Sequence, residues 1–221
     1  MTASADGPSA LAGIVDVSRE TLDRLEVFAT LLRKWQSSTN LVAPSTLTSV
    51  WRRHIADSAQ LVSLFPSALK WVDLGSGGGL PAVVVAILLA ARNGAEIHLI
   101  ESDQRKCAFL RQAIRSVDAP AEVHSGRIES VLGNWTQPIE MVSSRALAPL
   151  PRLFALAEPL LKAGATAAFH KGIYFEEEIS EASKSWDADL VIHESKVDSA
   201  GVILEVRSLL RKSALPGGGS S

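Results

Sequence analysis

Residues 71–90 read WVDLGSGGGLPAVVVAILLA, an apolar strand-like run that breaks into a glycine cluster and resumes as uninterrupted apolar sequence. Glycines at a strand-to-helix junction let the backbone turn sharply and approach a ligand closely, with free N–H groups pointing outward. The helix beyond the cluster carries no polar side chain from Ala82 through Ala91. A sheet covers one face of such a helix, so a second apolar layer must cover the other. The apolar run over 80–91 is too short for a membrane span, which needs roughly 20 residues. The second layer is expected from the N-terminal helices, with a dimer contact through the same face as the alternative.

Those helices are legible upstream. Leu22, Leu25, Phe28, Leu32 and Trp35 recur at helical spacing behind Ser18, a suitable cap. After the turn SSTNLVAPS, Leu47, Val50, Trp51, Ile55 and Ser58 share one face of a second helix. Residues 1–17 read as a flexible tail and 18–66 as a helical extension. From 67 to 212, short apolar runs at 71–74, 97–100, 121–124, 139–143, 165–169, 189–192 and 202–206 read as seven strands. Helical patterns at 80–91, 104–117, 150–161 and 175–184 fall between most of them. Such alternation predicts an α/β fold with a mostly parallel sheet covered on both faces. The last two runs have no helix between them and suit an antiparallel pair. Residues 213–221 read as a second flexible tail.

The chain has 221 residues and a formal net charge of -2, so any nucleic-acid surface must be a local basic patch. Candidates are Arg33, Lys34, Arg52 and Arg53 in the helical extension, with Arg105, Lys106, Arg111 and Arg115 along a later helix; a solvated face is the alternative. The single cysteine, Cys107, excludes an intramolecular disulfide and reads as a packed thiol in a reducing, cytoplasmic compartment. No secretory signal is read at the N-terminus. No metal-ligand set is read.

The loop Asp73-Leu-Gly75-Ser-Gly77-Gly-Gly79 is not a dinucleotide fingerprint, because Leu80 stands where the third glycine belongs, and no Gly-Lys-Ser/Thr follows for a Walker loop. What remains is Gly-x-Gly-x-Gly behind an acidic residue, suited to a ligand with a cationic amino-acid end. Glu101, closing the next strand, can accept hydrogen bonds from both hydroxyls of a ribose; a solvated strand-end charge is the alternative. Loop and carboxylate together fit an adenosyl ligand carrying a methionine moiety.

VDLGSGGGLP, LIESDQRKCAFLRQ and SGRIES resemble Rossmann-like S-adenosylmethionine-dependent methyltransferases. More narrowly, RHIADS at 53–58, GSGGGLP, SSRALAPL at 143–150 and HKG at 170–172 resemble the bacterial small-subunit (16S) rRNA guanine-N7 methyltransferases, also called the glucose-inhibited division protein B family. The likeness runs from about residue 28 to 207. It implies that Gly75, Gly77, Gly79 and Leu80, behind Asp73, shape the pocket for the methionine part. It further implies that Glu101 binds the ribose and that Ile128 and Glu129 lie beside the adenine. Arg145 is placed at the pocket edge facing the acceptor, and Arg53, His54, Asp57 and Ser58 beside the active-site mouth. Two departures stand out. Ala82 and Val84 replace a second glycine and a proline, and Thr39 replaces an aromatic residue before Asn40-Leu41.

Guanine N7 carries an in-plane lone pair and no proton, so its methylation needs positioning and electrostatics rather than a general base. The Asn/Asp-Pro-Pro-aromatic element of adenine amino methylation is missing from the sequence after the fourth strand. Arg145 can hold the base, a phosphate or the cofactor, with a structural salt bridge as its alternative. His54 and Asp57 serve equally as inter-helix hydrogen bonds or substrate contacts. Lys171 is a candidate phosphate contact, or a plain surface charge. The expected activity is methylation of a guanine N7 in the decoding-region loop of 16S rRNA, in the small subunit, by a monomeric enzyme with no membrane partner. A small-metabolite methyltransferase and a non-catalytic ribosome-associated module are the alternatives.

Overall fold

The computed structural model describes residues 6–212. Five strands, β1 (Lys70–Leu74), β2 (Glu96–Glu101), β3 (Ala121–Ser125), β4 (Met141–Arg145) and β5 (Thr166–Lys171), pair in parallel. β6 (Trp186–Glu194) and β7 (Val202–Arg211) form an antiparallel hairpin whose second strand inserts beside β5. The sheet order is β3-β2-β1-β4-β5-β7-β6. The order reverses between β1 and β4, and ligands of open α/β sheets collect at the carboxyl ends of the strands flanking such a reversal.

The helices are α1 (Arg19–Gln36), α2 (Asp57–Leu64), α3 (Ala82–Leu89), α4 (Gln104–Val117), α5 (Ile128–Leu132), α6 (Leu150–Lys162) and α7 (Phe175–Ser183). Ser18 caps α1 by accepting from the Thr21 N–H at 3.1 Å. The all-apolar α3 is sheathed as its sequence requires. It lies on β1 and β2 and is covered by α1, α2 and α4, leaving Ala82–Ile87 and Leu89 at most 1% exposed. Each large aliphatic side chain so buried stabilises the fold by about 1.5–3 kcal/mol. α1 also spans α4, where Phe28 and Trp35 meet the Phe109 ring and Trp35 Nε1 donates to Gln112 Oε1. The N-terminal helices therefore belong to the same apolar core as α3 and α4.

The second N-terminal helix is less regular than its pattern suggests. A 3-10 turn at Pro44–Ser49 leads into a π-helical turn at Trp51–Ala56 before α2 begins. Trp51 and Ile55 still face the core, while the widened turn delivers His54 and Asp57 to the cavity. Wide turns of this kind recur at functional sites.

The flexible tail expected over 1–17 is corrected for the described part of that segment. Asp6 accepts from the Trp51 and Arg52 N–H groups at 3.0 and 3.1 Å, and Pro8–Leu11 forms a 3-10 turn that buries Leu11. Ala10, Ile14, Val15 and Val17 pack against the same core, anchors spread too thinly along a small, polar stretch to read as a periodic pattern. The tail expected at 213–221 lies outside the described residues. Among the described residues, no helix is long and apolar enough to cross a membrane.

Candidate active site

The glycine loop leaves β1 and turns against β2, with the Gly75 and Ser76 N–H groups donating to the Ile100 carbonyl at 3.0 and 3.1 Å. Gly75 has φ +68°, and a Cβ there would lie 2.5 Å from Leu147 Cδ1. Gly79 has φ +76°, and a Cβ would lie 2.6 Å from Val83 Cγ2. Both positions therefore demand glycine for backbone and space alike. Gly77 differs. A Cβ there meets only the Gly75 carbonyl oxygen at 3.8 Å, so a side chain would take up cavity space rather than displace protein.

The cavity in front of this loop has a volume of about 1150 Å³, above the roughly 300–1,000 Å³ of a pocket for one small ligand. Glu101 sits on its wall, 8% exposed. Its Oε2 accepts from the Gly77 N–H at 2.9 Å, and its Oε1 from the Ser102 and Asp103 N–H groups at 2.8 and 2.9 Å. The carboxylate thus fixes the loop to the end of β2 as well as facing the cavity. Ile128 and Glu129 line the same side at the start of α5, where Glu129 pairs with Arg152.

Two residues of the predicted cofactor set do not reach the cavity. Gly79 faces α3, where it makes room for Val83. Asp73 lies behind the loop, 1% exposed; its Oδ1 accepts from Ser143 Oγ at 2.7 Å and its Oδ2 has no partner. Burial pushes its pKa from the ordinary 3.8 up to about 6, against the pull of the Ser143 hydroxyl. Its place is between β1 and β4, at the point where the strand order reverses.

The opposite wall is built around Arg145, which ends β4 just before Ala146, a non-glycine residue at φ +55°. Arg145 Nη1 donates to Asp57 Oδ2 at 3.2 Å and to the Arg53 carbonyl at 3.1 Å, and Nη2 lies 2.8 Å from His54 Nδ1. A guanidinium only donates, so His54 Nδ1 must be the accepting, unprotonated nitrogen. Nε2–H then points to Thr46 Oγ1 at 2.7 Å, whose own hydrogen goes to the Ala43 carbonyl. Burial and the neighbouring Arg145 charge lower the His54 pKa to about 4, so the ring is neutral at physiological pH. His170, from β5, completes the cluster with Nε2 3.1 Å from the Asp57 carbonyl. The salt-bridge alternative for Arg145 and the inter-helix role of His54 and Asp57 are thus both present, on the cavity wall itself.

Arg53 lines the cavity and pairs with Asp198 at 2.7 Å. Lys171 lines it too, yet its side chain is only 7% exposed and its Nζ donates to Glu178 and to the Ala148 carbonyl at 2.6 and 2.9 Å. A phosphate contact is a poor description of a lysine already neutralised and buried; it ties β5 to α7 and to the loop before α6. Cys107 is fully buried in α4, a packed thiol. Of the basic residues on α4, Arg105, Arg111 and Arg115 are exposed and Lys106 borders the cavity. Sequence reasoning missed Gln36, whose amide group clamps the strap over the glycine loop by bonding the Leu41 and Val42 N–H groups and the Val42 carbonyl. An isolated glutamine at the end of an amphipathic helix carries no distinguishing signal.

The strand order and its single reversed strand define the Rossmann-like methyltransferase architecture. Solved structures share this fold at low identity. An O-methyltransferase, TomG, from Streptomyces achromogenes, solved with S-adenosylmethionine, aligns with a TM-score of 0.58 at 14% identity over 90% of this chain and 93% of its own. An rRNA methylase from Streptococcus thermophilus aligns with a TM-score of 0.51 at 14% identity over 70% of this chain and 97% of its own. At the sequence level the match is specific: the family described as rRNA small subunit methyltransferase G (GidB) matches residues 21–205. Relatives named ribosomal RNA small subunit methyltransferase G are 48% identical in a Bradyrhizobium species, over 94% of this chain and 93% of the relative. The Brucella canis relative is 52% identical over 89% and 92%. The chain belongs to the rRNA small subunit methyltransferase G family.

Proposed function

We propose that this protein transfers the methyl group of S-adenosylmethionine to N7 of a guanine in 16S rRNA, in the decoding-region loop of the small subunit. The observation that carries this reading is the pairing of the two walls. A glycine loop braced by a ribose-suited carboxylate faces a fixed arginine cluster across one cavity with room for two ligands. Bound S-adenosylmethionine supplies a sulfonium-activated methyl group. The residues fit that ligand, since Gly77 leaves space where a side chain would stand and Glu101 presents a carboxylate on the same wall. Gly75, Gly77, Leu80 and Glu101 are proposed to hold it, with Ile128 and Glu129 beside the adenine. Asp73 and Gly79 support the loop from behind.

Arg145 acts by position. His54 offers its lone pair to Arg145 and is neutral, which suits a reaction in which the acceptor nitrogen has no proton to surrender. Arg145, Arg53 and His54 are proposed to orient the base and its backbone at the mouth. The chain is proposed to be cytoplasmic and to act as a monomer; the α3 face that a dimer contact would use is covered from within.

The test is calorimetric titration of S-adenosylmethionine into wild-type protein and Glu101→Ala, beside methyl transfer to small subunits from cells lacking the gene. Naked rRNA and a small-metabolite extract run in parallel. Loss of Glu101 should weaken binding by about 1–3 kcal/mol, the worth of two ribose hydrogen bonds. Undiminished affinity in Glu101→Ala, or label confined to the metabolite extract, would defeat the reading.

A further inference from the structure

On the outer edge of the sheet, away from the cavity, the parallel register places His98 of β2 opposite Glu122 of β3, with His124 two residues further along the same strand. Residues two apart on a strand share a face, so Glu122 and His124 project to the same side. One ligand atom from each of the three residues lies within 4.8 Å of the other two. His98 Nδ1 and His124 Nε2 stand 3.0 Å apart. Two nitrogens bound to one ion at about 2.0–2.1 Å, with angles between square and tetrahedral, are separated by roughly 2.9–3.4 Å. The rings are already at chelating distance.

His98 is 6% exposed, so its ring is held in place; Nδ1 is the nitrogen that meets His124, while Nε2, on the other edge of the ring, is buried with no hydrogen-bond partner. The Trp135 ring stands edge-on to both, with centroids 5.0 Å from His98 and 5.2 Å from His124. It closes the cluster on one side, while Glu122 is exposed and leaves the other side open to solvent. None of the four residues lines the cavity described above.

We propose that His98, His124 and Glu122 form a binding site for one divalent transition-metal ion, of the zinc, nickel or copper class. Two imidazoles and one carboxylate are too nitrogen-rich for magnesium or calcium and suit these softer ions, with water completing the coordination. The ion would cross-link the edge strand β3 to β2. β3 runs directly into Gly126, whose N–H donates to the Glu101 carbonyl at 2.9 Å, so the site would stiffen the edge of the sheet that carries the Glu101 wall.

The experiment uses untagged full-length chain, stripped by chelator dialysis, equilibrated with Zn²⁺, desalted and analysed for metal by mass spectrometry. A chromophoric chelator competition supplies the affinity. Wild type should retain one Zn²⁺ per chain, with a rise in Tm on loading. His124→Gln, at a half-buried position, and Glu122→Gln, at an exposed one, both leave the backbone strand pairing in place and should each weaken binding by about tenfold or more. Ni²⁺ should quench Trp fluorescence saturably, and Trp135→Phe should abolish that quenching while leaving the stoichiometry intact. Wild type that retains no Zn²⁺ would overturn the site, leaving the rings as a hydrogen-bonded pair. Equal retention by wild type, His124→Gln and Glu122→Gln would overturn it as well, by placing the ion elsewhere.

Discussion

Replacing Asp73 by Asn tests whether a buried charge is maintained behind the glycine loop. Asp73 is 1% exposed, and burial pushes its pKa from 3.8 to about 6. Below pH 4 the carboxyl is protonated in both the folded and the unfolded chain, and no difference arises. Between pH 4 and 6 the unfolded chain releases the proton while the folded protein keeps it, so stability falls as pH rises, by about 1.4 kcal/mol per pH unit. The total is about 3 kcal/mol, complete slightly above pH 6 and constant beyond. His54 and His170, with pKa values lowered by burial, act in the opposite sense over an overlapping window. The wild-type curve alone therefore mixes these effects, whereas the difference between wild type and Asp73→Asn isolates the aspartate. Ser143 can still donate to the Asn carbonyl oxygen, but the new amide N–H₂ stands where Oδ2 has no partner, at a cost of about 1–3 kcal/mol. Asp73→Asn should be less stable than wild type near pH 4 and gain on it by about 3 kcal/mol up to pH 7, reaching parity or better. Urea unfolding at half-unit pH intervals measures this. Parallel stability curves from pH 4 to 7 would refute the reasoning.

Two loop glycines, Gly77 and Gly79, should separate packing from ligand space. Gly79→Ala drives a Cβ to 2.6 Å from Val83 Cγ2 at φ +76° and should lower stability by about 2–4 kcal/mol, read by urea unfolding. Gly77→Ala should cost stability only about 1 kcal/mol, for its φ of +51°, yet weaken S-adenosylmethionine in calorimetry. Arg145→Lys keeps the charge but loses the planar fork shared by His54, Asp57 and the Arg53 carbonyl, so turnover should fall at least about tenfold, and the freed His54 Nδ1 should cost about 1–3 kcal/mol in urea unfolding. Normal turnover would remove Arg145 from the site. Lys171→Ala leaves Glu178 facing an empty buried position and should destabilise by about 1–3 kcal/mol, with the salt dependence of RNA affinity unchanged. A weaker salt dependence would restore Lys171 as a phosphate contact.

What the sequence made legible was whatever is local. α4 runs over the predicted 104–117, because its apolar period is clean and Asp103 caps it by accepting from the Arg105 and Lys106 N–H groups. The apolar α3 announced its own double burial, and Glu101 at a strand end announced its place on the cavity wall. β6 and β7 extend well past their apolar runs because a hairpin ladder needs backbone pairing, not continuous hydropathy, at its outer end. Distant partners were not legible. Glu178 neutralises Lys171 from a helix beyond a loop, Asp6 caps a turn 45 residues away, and His98 meets His124 only through strand register. Of the RHIADS residues expected beside the mouth, Arg53, His54 and Asp57 line the cavity, whereas Ser58 is buried behind it and donates to the His54 carbonyl, and the motif carries no signal of these separate roles. The neutrality and orientation of His54 follow from Arg145 and Thr46, which reach it from separate elements.

The methylated product is the most direct test of the proposed reaction. Small subunits purified from cells lacking this gene would be incubated with the protein and S-adenosylmethionine carrying a labelled methyl group, and the 16S rRNA digested to nucleosides for mass spectrometry. Label is expected in 7-methylguanosine with wild type and absent when Arg145→Ala replaces it. Label in any other methylated nucleoside, or in none, would contradict the proposed reaction.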